Sequence, residues 1–398
     1  MAKGKNFEEL RAVWRRDFPW TRRLVYLQHA FNSPMPRQAV EEVLEYFLHQ
    51  THLGFVQSDA NPMVEEARAN VAGVIGAKPE EVAFTQSYTE GLNIATSNID
   101  WEGKDNVVIS EGDYFSTIVH FVNLVRRNGA ELRIIPMDED GFLSVGEAEE
   151  LIDGETAMVH LVHVPNGVGT IQPVEEIFEH ARGMGALTVV DAAQSTGIVP
   201  HRVRDLGCDF YSSVGKKWLM GPVGTAFFWC RDDLIEGMEP PIVGKHFRSY
   251  DLEGVRLVET AERFESTTLN HPGIAGLNAA VKYWSDLGVE TVEASIKDLT
   301  AYLIERLTEE FDAEIVGTTD TEKRTAITCF TLPSMDEMQV AEILRDRYNI
   351  ICAHGVGRTP AMSVFAGRHV IRVSTHFYNS KADIDKLVQA IKEIRRTL

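Results

Sequence analysis

The sequence predicts an α/β protein in which a mostly parallel sheet is flanked by helices, followed by a smaller α/β domain. Three observations carry this. Short apolar runs alternate with helically spaced segments, the signature of strand–helix–strand units. The runs are nearly continuous in apolar residues, as strands covered on both faces must be. Near residue 270 the texture changes, and long helical segments precede a second group of short strands.

Taken in order, Asn106–Ile109, Leu132–Ile135, Met158–Val162, Leu187–Val190 and Thr225–Trp229 read as buried strands. Ser116–Asn128 and Val174–Gly183 have helical spacing between them. Beyond 270, Gly273–Trp284, Val289–Phe311, Met338–Arg347 and Lys381–Thr397 read as helices. Ala326–Leu332, Ile350–Ala353 and Val370–Ser374 read as strands. The last helix opens on Ser380-x-x-Asp383, like a capping box, and Ile384, Leu387, Val388, Ile391 and Ile394 form one apolar face. The expected organisation is an N-terminal segment, 1–20, packing on a small domain, 271–398, with a large domain at 21–270. A chain of 398 residues is long enough for two cores.

Composition narrows the function. Apolar content of 44% and charged content of 25% suit a soluble globular enzyme. A formal charge of −20 argues against nucleic acid or an anionic membrane as partner, since phosphate binding needs excess Lys and Arg. The start of the chain is polar, with no apolar core of a secretory signal, and no apolar run reaches the ~18 residues of a membrane span. Cys208, Cys230, Cys329 and Cys352 show neither CxxC nor metal spacing, and His49-x-x-His52 lacks a third ligand. The expectation is a cytoplasmic protein with no metal and no disulfide.

The chemistry is concentrated between Leu187 and Gly224. An apolar strand ends at Asp191, and further on the paired Lys216-Lys217 precede Trp218 and a Gly221-Pro222-x-Gly224 turn. Singly, a strand-end Asp is often a cap, and a lysine pair is usually solvated surface. Together they suit pyridoxal 5′-phosphate, which needs a lysine to hold it as a Schiff base and an anion to keep its ring nitrogen protonated. Ligands in parallel sheets gather beyond the carboxyl ends of the strands, and the candidate residues follow Ile109, Val164 and Val190 there.

The wording of this segment resembles the class V aminotransferase family of fold-type I pyridoxal-phosphate enzymes. That branch holds cysteine desulfurases, selenocysteine lyases and isopenicillin-N-epimerase-like proteins. Asp191, Gln194 and Gly197 match its D-x-x-Q-x-x-G, Asp209-Phe210-Tyr211 the next block, and Lys217 to Gly224 the lysine turn. The resemblance covers nearly the whole chain. It implies a fold-type I large domain with a seven-stranded-type sheet, a smaller C-terminal domain, an amino-acid substrate, and a homodimer with shared active sites.

It also implies roles. Lys217 holds the cofactor and then removes the Cα proton, and Asp191 partners the pyridinium. Thr85 to Asn93 matches a phosphate-binding turn, making Tyr88 and Thr89 phosphate contacts. Tyr114, in Ser110-Glu111-Gly112-Asp113-Tyr114, takes the place of the ring that stacks on the cofactor and counts as a catalytic residue. Asn166 and Gln194 lie by the ring hydroxyl. Thr268 reaches the phosphate of the partner subunit. Arg372 clamps the substrate carboxylate, as a planar guanidinium does well. His29, Ala30 and Asn166 line the substrate pocket, with specificity expected from the loops around Phe31, His246-Phe247 and 358–365.

Two departures matter. Lys216 stands where the family has His, with Val214-Gly215 in place of Ser-Gly, so Lys216 is expected to supply charge to the phosphate. The loop that carries the desulfurase cysteine corresponds to Ala353–Pro360, which has none, while Cys352 lies in an apolar run. On that ground the expected reaction is β-elimination of C–S lyase type on a sulfur-substituted amino acid. Transamination and epimerisation are the alternatives, and persulfide-forming desulfuration is disfavoured.

Overall fold

The computed structural model describes residues 6–54, 57–354 and 369–397. From the N-terminal side run α1 (Phe7–Trp14), β1 (Val25–Tyr26), α2 (Arg37–Leu53) and α3 (Gln57–Ile75). Strands and helices then alternate: β2 (Val82–Thr85), α4 (Tyr88–Thr96), β3 (Asn106–Ser110), α5 (Phe115–Asn128), β4 (Glu131–Ile135) and α6 (Val145–Leu151). Next come β5 (Thr156–Val162), α7 (Val174–Gly183), β6 (Leu187–Asp191), β7 (Phe210–Val214), β8 (Ala226–Cys230) and the short α8 (Asp232–Ile235). A hairpin follows, β9 (Phe247–Tyr250) and β10 (Val255–Leu257), then α9 (His271–Leu287) and α10 (Val289–Phe311). The chain closes with β11 (Glu314–Ile315), β12 (Ile327–Thr331), α11 (Glu337–Tyr348), β13 (Ile350–Ile351), β14 (Ala353–His354), β15 (Ile371–Ser374) and α12 (Lys381–Thr397).

The main sheet has the order β2-β8-β7-β6-β5-β3-β4. β7, β6, β5, β3 and β4 are parallel, and β8 runs antiparallel to both β7 and β2. Because β8 reverses once between them, β2 points the same way as the parallel five. Its carboxyl end, and the head of α4 after it, therefore falls on the same edge as those of β3, β5, β6 and β7. That edge is where a site must form.

Helices cover both faces, so Val107, Val108 and Ile109 of β3 are wholly buried. Each such side chain contributes roughly 1.5–3 kcal/mol to folding. β2 and β7 were not among the strands expected from sequence. β7 reads Phe210-Tyr211-Ser212-Ser213-Val214, and its two serines break the apolar run. Both are buried because their hydroxyls bond inward, Ser212 to the Tyr88 carbonyl and Ser213 to the Ala192 carbonyl.

The second sheet, β11-β12-β15-β14, is antiparallel and packs its own core with α10, α11 and α12. α9 begins beyond the change in texture at 270, yet its Ile274, Leu277, Val281 and Trp284 join the main core against α2 and α3. Arg11 of α1 bonds Ser295 and Asp298 of α10, fastening the N-terminal segment to that helix. Among the described residues no helix is long and apolar enough to cross a membrane.

Candidate active site

A cavity of about 520 Å³ opens on the carboxyl edge of the main sheet. One wall is the head of α4, where Ser87 caps the helix by accepting from the Glu90 N–H at 3.2 Å. The first N–H groups of a helix are unpaired within it and favour an anion. Gly91 lets α4 settle onto β7, because a Cβ there would collide with Ser212.

The floor comes from β6 and the segment after β7. Asp191 ends β6, nearly fully buried, with Oδ1 accepting from the Ala193 N–H at 2.8 Å. Burial raises its pKa, while the charge of Lys217 and the Ala193 N–H act against that rise. Lys217 titrates at about 8, down from the ordinary lysine value. Burial is the main cause, and Arg372 and Lys216 add to it while Asp191 opposes. A lysine with that pKa is roughly a tenth neutral at pH 7, far more than an ordinary one.

Gln194 is locked at both ends of its amide. Nε2 donates to the Ala30 carbonyl and Oε1 accepts from Trp218 Nε1, both at 2.9 Å. Asn166 lines the cavity, and its carbonyl accepts from Arg372 Nη1 at 3.1 Å. Arg372 projects from β15 and is buried, and its Nε has no hydrogen-bond partner. Among the described residues no carboxylate pairs with it. A buried guanidinium with an unused edge is a receptor for an anion.

Tyr114 precedes α5 at the mouth, 40% exposed, with Phe115 beside it at 4.3 Å between ring centres. Lys216 lines the cavity and places Nζ 5.3 Å from the ring centre of Phe31, while its carbonyl accepts from the Ser33 N–H. Tyr88 and Thr89 also line the cavity, but the Tyr88 hydroxyl turns down into the protein, 2.6 Å from His160 Nε2.

Two residues lie elsewhere. His29 faces inward, with Nδ1 by Ser33 Oγ and Nε2 by the Tyr26 carbonyl, so only its neighbour Ala30 reaches the cavity. Thr268 is exposed on the 265–270 loop and borders a small separate pocket with Gln86 and Glu90. The specificity loop expected at 358–365 lies outside the described residues. Phe115 and the buried group of Asp113, Thr117 and His160 were not singled out from sequence. A histidine in the middle of the apolar run Met158–Val162 was the available signal.

The donors fit pyridoxal phosphate: an amine of lowered pKa beside a buried carboxylate, a helix N-terminus for the phosphate, and a guanidinium that has no carboxylate partner among the described residues. When bound, the cofactor supplies the electron sink that makes the substrate Cα–H acidic.

The chain is 34% identical over 386 residues to a cysteine desulfurase of Haloferax volcanii, covering 94% of this chain and 89% of that one. It is 31% identical over 402 residues to a cysteine desulfurase of Escherichia coli, covering 96% and 98%. The apo structure of a cysteine desulfurase from Thermococcus onnurineus superposes with a TM-score of 0.89 at 30% identity, covering 97% of this chain and 98% of that one. The fold is that of fold-type I pyridoxal-phosphate enzymes.

These likenesses overturn the expected reaction. The β-elimination reading disfavoured desulfuration, yet the relatives are named desulfurases, and they support neither transamination nor epimerisation. Agreement along the whole chain outweighs one cysteine missing from a single loop. Residues 25–387 match the family described as Aminotransferase class-V, and the chain belongs to that family of pyridoxal-phosphate enzymes.

Proposed function

We propose that this enzyme takes the sulfur from cysteine and leaves alanine, passing the sulfur to a thiol. The observation that carries this is the 34% identity, across 94% of the chain, to a protein named cysteine desulfurase. In this reading Lys217 would hold the cofactor and would move the Cα proton of the substrate. Asp191 would keep the ring nitrogen protonated, and Tyr114 would pack against the ring. Gln194 and Asn166 would meet its hydroxyl, and the head of α4, through the backbone of Tyr88 and Thr89, would hold the phosphate together with Lys216. Arg372 clamps the substrate carboxylate, with Ala30 beside it.

The step balances without an oxidant. The Cβ–S bond of cysteine breaks, a Cβ–H bond forms, and the acceptor thiol becomes a persulfide. Cys352 is a poor acceptor, since it packs against the smaller core and burial pushes its thiol up to about 12. The other three cysteines are buried, and the sequence from 353 to 398 has none. We therefore take the acceptor to be a thiol from solution or from a partner protein.

Incubation with L-cysteine and dithiothreitol tests this. Alanine and sulfide should form in equal amounts, and Cys352→Ser should keep the rate within about twofold, as a substitution remote from the chemistry does. Pyruvate and ammonia in place of alanine would contradict the reading.

The same reading includes a two-fold dimer in a cytoplasmic, reducing setting, and a division of the sequence near 20 and 270 in which α9 packs on the large domain. All four thiols are free. On α2, Val40, Leu44, Phe47 and Leu48 form an exposed apolar stripe at helical spacing, a self-complementary patch for a second copy. Thr268, exposed in one chain, would then meet the partner's phosphate. Sedimentation should give a dimer, and mixing Lys217→Ala chains with Thr268→Ala chains should restore one intact site per hybrid. A monomer that retains its cofactor would contradict both.

A further inference from the structure

His160 sits in the middle of β5 with its side chain fully buried. In the sheet register Val162 pairs with Asp191, and His160 with Val189. Side chains two apart share a face, so His160 lies one pleat, roughly 7 Å, beneath the cavity floor and diagonal to Asp191. Nothing in the reaction as described uses it.

Its two nitrogens are both engaged. Nδ1 lies 3.2 Å from Asp113 Oδ2, and Nε2 lies 2.6 Å from the Tyr88 hydroxyl. That hydroxyl is in turn 3.2 Å from Thr117 Oγ1. Asp113 Oδ2 also accepts from the Ser110 N–H at 3.1 Å, while its Oδ1 is buried without a partner. A buried carboxylate with one orphan oxygen needs a neighbouring cation. Nδ1–H donates to Asp113 in either protonation state, and in the imidazolium Nε2–H donates to the Tyr88 hydroxyl while the ring charge offsets that of the carboxylate.

The groups facing His160 agree. Burial works against its charge, but Asp113 beside it and Asp191 above it raise its pKa overall. His120 on α5 is pushed down to about 4, by burial first and by His160 second. Phe121 of α5 closes the remaining side. The network also joins separate walls of the cavity. Tyr88 opens α4, Asp113 holds the turn before Tyr114, and Thr117 lies in the first turn of α5.

We propose that His160 is a positioning residue for the pyridoxal chemistry: bonded to Asp113 and Tyr88, it places a fixed positive charge beneath Asp191 and ties the head of α4 to the Tyr114 turn. The charge then adds to that of Lys217 in favouring the ionised Asp191, against burial and the nearby Asp113 carboxylate, and the phosphate wall keeps its distance from the stacking wall. This rests on the cofactor site and not on the choice of substrate, so the test reads the bound cofactor and not turnover.

The variants are His160→Gln, Tyr88→Phe and the double variant, each purified with cofactor. Two quantities are measured: the pH midpoint of the visible absorption change, and the dissociation constant of added pyridoxal phosphate. In His160→Gln the midpoint should rise by about half a unit or more, because a cation near the site has gone. The dissociation constant should rise about tenfold, the cost of one buried charge-assisted hydrogen bond. Tyr88→Phe should weaken binding similarly with a smaller midpoint shift. The double variant should be no more than about twofold weaker than the worse single, as coupled groups are non-additive. If His160→Gln does not fold, Tyr88→Phe alone decides, and unchanged binding overturns the proposal. A folded His160→Gln with the wild-type midpoint and affinity overturns it, and so does full additivity in the double variant.

Discussion

Lys217→Ala is expected to purify without the visible cofactor band and to lose turnover by ~10⁴-fold or more, the scale seen when a nucleophile that works with its partners is removed. Lys216→Ala should keep the band. The difference follows from position, since Lys217 is coupled to Asp191 on the cavity floor while Lys216 places its ammonium over Phe31. A dependence on pH accompanies it. The Lys217 amine titrates at about 8, so capture of pyridoxal phosphate by the apoprotein should speed up with rising pH and level off above that value. Protonated below and free above, the amine reacts only in its neutral form. Removing the like charge of Lys216 raises the Lys217 pKa, so in Lys216→Ala the plateau should move to higher pH. Stopped-flow absorbance of cofactor capture across pH 6 to 10 reads both effects. An unchanged or lower plateau in Lys216→Ala contradicts the coupling.

Asp191→Asn is the second large effect. The amide can still accept from the Ala193 N–H, so the fold should hold and the cofactor should remain attached through Lys217 and α4. Turnover should fall by roughly 10³-fold or more. A neutral partner cannot keep the ring nitrogen protonated, and charge stabilisation in a dry site exceeds that of a neutral hydrogen bond. Rate and cofactor content measured on the same preparation separate chemistry from binding. A near-native rate with full cofactor content would mean that Asp191 does not partner the ring.

Much of this was legible in the sequence, for identifiable reasons. The buried parallel strands β3, β5 and β6 announce themselves as apolar runs, and the site residues follow those strands, whereas β4, also expected to be buried, is the edge strand of the sheet with only Ile135 buried. β7 was hidden by its buried serines, whose hydroxyls are satisfied by backbone carbonyls that only the fold supplies. Packing also overrode texture at α9, which opens the C-terminal region in sequence yet buries its apolar face in the main core. Position along a motif does not fix side-chain direction. Tyr88 matched a phosphate contact, but its hydroxyl bonds His160, and His29 matched a pocket residue, but its ring faces Ser33 and Tyr26. The Asp113–His160 pair, 47 residues apart, becomes a unit only through the register of β3 and β5. The reaction was misjudged because the acceptor thiol can come from outside the chain, so a cysteine absent from one loop does not decide between elimination and transfer of the sulfur.

Reductive trapping tests the central claim most directly. Borohydride treatment of the cofactor-loaded protein, followed by proteolysis and mass analysis, should place the pyridoxyl label on Lys217 alone, at one label per chain. A label on Lys216, or on any lysine outside the cavity, would contradict the account.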